Sequence, residues 1–237
     1  MRDLICLPYA GGGTSIFHPW TQQAGPGLRV CPVCLPGREG RIGETPFARM
    51  SPLLDWLETH LEASWQRPHI LFGHSMGGIV AYALCLRRMR FGRTLPQALV
   101  VSACRPPPVR RDVQMHRLGG TELRARLRAY DPANLAYDTY PELWDLMEPV
   151  LRADLAVIET FDPGQVARLP IPVIALSGLQ DPLVASDDMA GWSDAGCAFD
   201  HHRFDGGHFF LRDAPAAVLH RMTQSLCELT GAPAPPG

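Results

Sequence analysis

The apolar residues of this chain fall into two kinds of run. Short blocks in which nearly every position is apolar read as strands buried on both faces. Longer stretches with an apolar residue every third or fourth position read as helices with one buried face. Leu4-Ile5-Cys6-Leu7 is the first block, stopped by Pro8 and the glycines 11 to 13. Arg29 to Leu35 is the second, closed by Pro36-Gly37, and His69 to Phe72 and Gln97 to Ala103 are the third and fourth. Pro172 to Ser177 and Phe199 to Phe204 complete the set. Between them, Leu53, Leu54, Leu57 and Leu61 mark one face of a helix over 50–65, with Ser51 as N-cap and Pro52 as its first residue. A second helix is expected from Met76 to about Met89. A closing one is expected from Asp213 to Leu229, with Leu219, Met222, Leu226 and Leu229 on one face. Strands alternating with helices predict an α/β fold, a mostly parallel sheet with helices on both faces.

One stretch interrupts the alternation. Arg105-Pro106-Pro107-Pro108 halts regular structure, and from there to Pro163 the chain is helical in character. Its first half carries Arg105, Arg110, Arg111, Arg117, Arg124, Arg126 and Arg128. Such a segment reads as an insertion above the carboxyl ends of the strands, where open α/β sheets place their sites. The expected organisation is a core of 1–104 and 164–230, a helical lid of 105–163, and a disordered proline-rich tail of 231–237. Pro106-Pro107-Pro108 and Pro163-Gly164 are the expected hinges of a lid that opens.

Composition adds bounds. A chain of 237 residues, 46% of them apolar, suits one domain with an insertion. The net charge of −2 gives no reason to expect nucleic acid or an anionic membrane as partner. All the basic residues are arginine, which reads first as a coding bias. Seven cysteines, several of them in apolar runs, read as small core residues. Cys31-Pro32-Val33-Cys34 has metal or redox spacing but lies inside an expected strand with no second pair. The start shows no basic segment followed by an apolar one, and no run is long enough to span a bilayer. A cytoplasmic protein is the expectation, without metal or cofactor and, for want of an evident oligomerisation surface, monomeric.

The candidate chemistry centres on Gly73-His74-Ser75-Met76-Gly77, directly after the third strand. Glycines two residues either side of a serine allow a turn from strand to helix that presents the hydroxyl as a nucleophile. A serine so placed needs a general base and an acid to orient it, in the order serine, acid, histidine. Asp181 follows the strand ending at Ser177-Gly178, and His208 ends the run Phe204-Asp205-Gly206-Gly207. Of nine histidines, His208 alone follows a late strand in a glycine-rich loop before a closing helix. His74 reads as support for the turn, and His201 and His202 as structural. Asp187, Asp188 and Asp205 compete with Asp181 for the acid, Asp205 being the runner-up. An oxyanion needs two preorganised donors. Met76 N–H, at the start of the helix, is one. The other comes from the loop Pro8 to Gly13, from Tyr9 or Ala10, with Ala10 preferred.

These residues carry a resemblance over nearly the whole chain. Leu7-Pro8-Tyr9-Ala10-Gly11-Gly12, Leu35-Pro36-Gly37-Arg38, Phe72 to Gly78, Ser102-Ala103-Cys104-Arg105-Pro106-Pro107, Gly178-x-x-Asp181 and Gly206-Gly207-His208-Phe209 occur in order. The chain resembles the type II thioesterases that accompany nonribosomal peptide and polyketide synthases. Medium-chain fatty-acyl thioesterases look similar, and a carboxylesterase or lipase would use the same triad. The resemblance implies an α/β-hydrolase with a helical lid that cleaves acyl thioesters from the phosphopantetheine arm of a carrier protein. It also implies a triad of Ser75, Asp181 and His208, with Met76 and Ala10 at the oxyanion hole. Carrier proteins of such pathways are acidic, so the arginines of 105–128 read either as a docking surface or as an ordinary solvated face. Family members often carry extra residues before the first motif, so an edge strand is expected to be missing.

Overall fold

The computed structural model describes residues 1–107, 113–130, 140–163 and 167–231. Pro108, Arg110, Arg111, Gly164 and the tail beyond Gly231 lie outside them. Six strands form one sheet: β1 (Arg2–Leu7), β2 (Leu28–Pro32), β3 (His69–His74), β4 (Leu99–Ser102), β5 (Val173–Gly178) and β6 (Phe199–Phe204). Their order is β2-β1-β3-β4-β5-β6, and every pairing is parallel. The second strand ends at Pro32, short of the expected Leu35, although the Val33 N–H still donates to the Cys6 carbonyl at 2.9 Å; Pro32 is tolerated because β2 is an edge strand.

The helices are α1 (His18–Gln23), α2 (Met50–His60), α3 (Glu62–Trp65), α4 (Met76–Arg90), α5 (Gly120–Tyr130), α6 (Pro141–Glu159), α7 (Phe210–Asp213) and α8 (Pro215–Thr230). The helix expected over 50–65 is therefore two, parted at Leu61, whose ψ of 12° leaves the helical region. Its N-cap is Arg49 rather than Ser51, with no side-chain capping bond. Pro52 is still tolerated because the N–H groups of a first turn have no acceptor in the helix. The closing helix starts two residues later than expected, after the separate turn of α7.

Within each central strand, alternate residues enter different cores. Ile5, Leu7, Leu71, Leu99, Val101, Val173 and Ala175 join the layer built on α2 and α4. Leu4, Cys6, Ile70, Phe72, Val100, Ile174 and Leu176 join the layer that takes Trp20 from α1 and Val218, Leu219, Met222 and Leu226 from α8. Continuous apolar runs are thus two interleaved faces, each with its own cover. Between β4 and β5 the chain leaves the sheet for α5 and α6, which share a small core of Leu123, Trp144, Leu151 and Leu155. No described helix is long and apolar enough to cross a membrane.

The strand order positions the site. The chain runs from β1 outward to β2, then returns to the other side of β1 as β3, so the order reverses between β1 and β3. A crevice opens at the carboxyl ends of such a pair. The register pairs Leu7 with Gly73 and His74 with Ser102. The loop after β1, the turn after β3 and the end of β4 therefore meet at one level.

Candidate active site

Ser75 sits between β3 and α4 with φ of 54° and ψ of −115°. A left-handed φ is costly for a residue with a Cβ and persists only where its surroundings impose it. Here they do. A Cβ on Gly73 would collide with the backbone of Gly77, and one on Gly77 would run into the Leu7 carbonyl and lie 2.7 Å from the Pro8 oxygen. The Ser75 N–H donates to the Ser102 carbonyl at 2.7 Å, tying the turn to β4.

The three residues expected to act together are together. His208 Nε2 lies 3.0 Å from Ser75 Oγ. On the opposite side of the ring, Nδ1 lies 2.8 Å from Asp181 Oδ2. Both side chains of the His208–Asp181 pair are buried. Asp181 is held in turn by its other oxygen, which accepts the N–H of Leu183 at 2.8 Å and of Val184 at 3.2 Å. With Nδ1–H committed to the carboxylate, Nε2 is left to accept the serine proton. The competing carboxylates are elsewhere: Asp187 pairs with Arg203, Asp188 pairs with Arg105, and Asp205 is exposed.

The loops that carry acid and base are locked to each other. A Cβ on Gly178 would strike the Gly207 carbonyl, and Gln180 Oε1 accepts the Gly206 N–H at 2.5 Å. The His208 ring is boxed by Phe209 at 5.1 Å and His74 at 5.3 Å between centroids. His74 is fully buried, and its Nδ1 lies 2.9 Å from Ser102 Oγ. Burial, together with the nearby His208 and Arg212, holds it well below the ordinary histidine value of 6.5. Above that lowered value it is neutral and adds no charge beside the base. His202 lies against Asp200 and Ser225, and His201 against Ser177.

The two backbone donors expected at the oxyanion hole are the N–H groups of Met76 and Ala10. Met76 is the first residue of α4, so its N–H has no intrahelical acceptor and sits at the positive end of the helix. Among the described residues no acceptor is found for the Ala10 N–H. The following residues are engaged: Gly12 N–H donates to the Tyr9 carbonyl, and Gly11 N–H to Asp154 Oδ2 at 2.8 Å. Asp154 was not anticipated as part of this region, nor was Ser102, nor the role of Arg38 within its motif. Asp154 had a legible signal, a carboxylate on the apolar stripe of a helix between Val150, Leu151, Leu155 and Ile158. Among the described residues no group of three side chains is arranged to hold a metal ion. What the arrangement can do is nucleophilic acyl transfer through a serine.

Comparison with known proteins agrees. The family model for a thioesterase domain matches residues 2–226. Thioesterase PikA5 of Streptomyces venezuelae is 30% identical over 97% of this chain and 83% of its own length. The solved structure of RedJ, a thioesterase from the prodiginine biosynthetic pathway in Streptomyces coelicolor, is 33% identical. It superposes with a TM-score of 0.85 over 97% of this chain and 89% of RedJ. The type II thioesterase BorB from the borrelidin biosynthetic cluster is 34% identical, with a TM-score of 0.85 over 95% and 92% of the two chains. With a serine, a histidine and an aspartate in hydrogen-bonded sequence on this sheet, and a family match spanning nearly its whole length, the chain belongs to the thioesterase family and is a thioester hydrolase.

Proposed function

We propose that this protein is a type II thioesterase that hydrolyses acyl groups from the phosphopantetheine arm of carrier proteins in nonribosomal peptide or polyketide biosynthesis. The observation that carries the chemistry is the chain of contacts from Ser75 Oγ through His208 to Asp181. The pathway is argued from the relatives: RedJ and BorB are named for a biosynthetic pathway and a biosynthetic cluster, and YbtT as a type II thioesterase from an NRPS/PKS biosynthetic pathway.

In this reading His208 Nε2 takes the proton of Ser75 as Oγ attacks the thioester carbonyl. The charge that develops on oxygen is received by the N–H groups of Met76 and Ala10. The tetrahedral intermediate collapses, the carbon–sulfur bond breaks, and the pantetheine sulfur leaves with the proton from His208. Water, deprotonated by the same nitrogen, then releases the acid and restores Ser75. Asp181 fixes the imidazole tautomer and stabilises the imidazolium. Because a thiol leaves easily, this machinery would serve oxygen esters as well, so substrate choice belongs to the helices over the site and to docking. We assign residues 105–163 to a lid. Its exposed Arg117, Arg126 and Arg128 suit an acidic carrier by complementary charge.

The test pairs a variant with a substrate series. Ser75→Ala is expected to fold as the wild type and to lose at least about 10³-fold in kcat on acyl-carrier protein. Wild-type protein is expected to prefer acyl-carrier protein over the same acyl group on coenzyme A, and both over a simple oxygen ester. Turnover retained by Ser75→Ala would overturn the serine mechanism. Preference for the oxygen ester would overturn the thioesterase assignment to a carrier, and preference for free medium-chain acyl-coenzyme A would point to fatty-acyl metabolism instead.

A further inference from the structure

A buried ion pair lies against the loop after β1. Arg38, in the loop after β2, is 3% exposed, and Asp154, on α6, is 4% exposed. They meet in a two-pronged ion pair, Nη1 to Oδ2 at 2.7 Å and Nη2 to Oδ1 at 2.8 Å. Neither spends its whole bonding capacity on the other. Arg38 Nη1 also donates to the Gly12 carbonyl at 2.9 Å, and Asp154 Oδ2 also accepts the Gly11 N–H at 2.8 Å. The pair therefore grips a carbonyl and an N–H of the loop whose Ala10 N–H is the second oxyanion donor of the proposed mechanism. Gly11 has φ of +74°, and a Cβ there would come within 3.3 Å of Leu151 on the same face of α6 as Asp154. A Cβ on Gly37, beside Arg38, would likewise come within 3.3 Å of Val150, one turn from Asp154.

Removing such a pair from water is costly, and apolar residues of similar size often stabilise a fold as well or better. The contacts on Gly11 and Gly12 supply a reason for it that stability does not. We infer that Arg38 and Asp154 are positioning residues that aim the Ala10 N–H at the reacting carbonyl and make the oxyanion hole conditional on α6 being seated. The inference rests on the serine-hydrolase reading above. Arg38 and Asp154 touch no substrate atom in it. They act on the transition state by fixing the loop in advance, since a donor that must reorganise loses much of its value.

Two variants separate this role from a structural one. Asp154→Asn keeps the shape and leaves one acceptor, but leaves the Arg38 charge unpaired. Arg38→Met/Asp154→Leu removes both charges and keeps the packing volume. The double variant is expected to melt no lower than wild type, yet to lose about tenfold to a hundredfold in kcat on an acyl-pantetheine thioester. Affinity for a trifluoromethyl ketone, which adds Ser75 Oγ to its carbonyl and leaves the charge on oxygen, is expected to fall by a similar factor. Affinity for a thioether analogue, which has no carbonyl to attack, is expected to stay within about twofold. Wild-type kcat and ketone affinity in the folded double variant would overturn the inference while leaving the Ser75 mechanism standing, as would equal losses for ketone and thioether. Turnover surviving in Ser75→Ala would remove the mechanism and the inference together. Wild-type protein alone gives a further check: the Gly11 amide should exchange slowly with solvent, and exchange at the rate of an open loop overturns the inference without any variant.

Discussion

At the residue scale, the site depends on which histidines carry charge. His208 must pick up a proton during each cycle, and a second charge beside it would oppose that. His74, whose ring centre is 5.3 Å away, is kept neutral chiefly by burial. His60, His69 and His201 are also lowered from 6.5, with burial the first cause in each. In the unfolded chain all four titrate near the ordinary value. Between that value and their lower folded values the unfolded state binds more protons, so stability rises with pH there. The stability they contribute is fully present above about pH 7.5 and is lost as pH falls through about 6.5. Urea denaturation is therefore expected to give a lower unfolding free energy at pH 5 than at pH 7.5. An equal or higher value at pH 5 would contradict the lowering of these four histidines.

At the element scale, the turn from β3 into α4 and the loop after β1 are one construction. Gly77 is the contact between them, since any Cβ there meets the backbone of Leu7 and Pro8. Backbone atoms on a paired strand cannot move aside as a flexible side chain can. Gly77→Ala is expected either to prevent accumulation of folded protein or to displace Ser75 and abolish its labelling by a serine-directed fluorophosphonate. Wild-type melting and labelling together would show that the packing of β1 against α4 is looser than described. The sequence was legible here because a strained turn permits few residue types, and the string around Ser75 uses them. Helix boundaries were less legible. The split at Leu61 leaves the apolar period intact, so nothing in the pattern of Leu53, Leu54, Leu57 and Leu61 reveals it.

At the scale of the whole molecule, the inserted helices are attached unequally. Helix α6 is fastened by the Arg38–Asp154 pair and by Val150, Leu151 and Leu155, all buried. Helix α5 buries Leu123 fully but leaves Thr121, Glu122, Ala125, Arg126 and Arg128 exposed. Part of its arginine complement is engaged locally, Arg126 with Glu122 at 3.8 Å and Arg124 over the Trp144 ring at 5.7 Å. A lid motion is therefore expected in α5 ahead of α6. Hydrogen exchange should be faster across 120–130 than across 150–159, and faster in both than in β3 and β4. Protection of 120–130 equal to that of the sheet would remove the lid assignment.

The sequence by itself determined the strands of the sheet, the candidate nucleophile, base and acid, and the order in which they occur. Each is a local matter, a run of apolar residues or a turn that few residues can make. His208 was separable from the other histidines because it alone follows a late strand in a glycine-rich loop. Asp205 follows a strand end just as Asp181 does, and only the fold puts Asp181 against His208 Nδ1. Tertiary structure alone decided that Leu61 breaks a helix, that Ser102 supports His74, and that Asp154 reaches back to Arg38 and Gly11. Those contacts join residues far apart in the chain, where the partner is chosen by the path of the backbone through space and leaves only a faint mark on either residue.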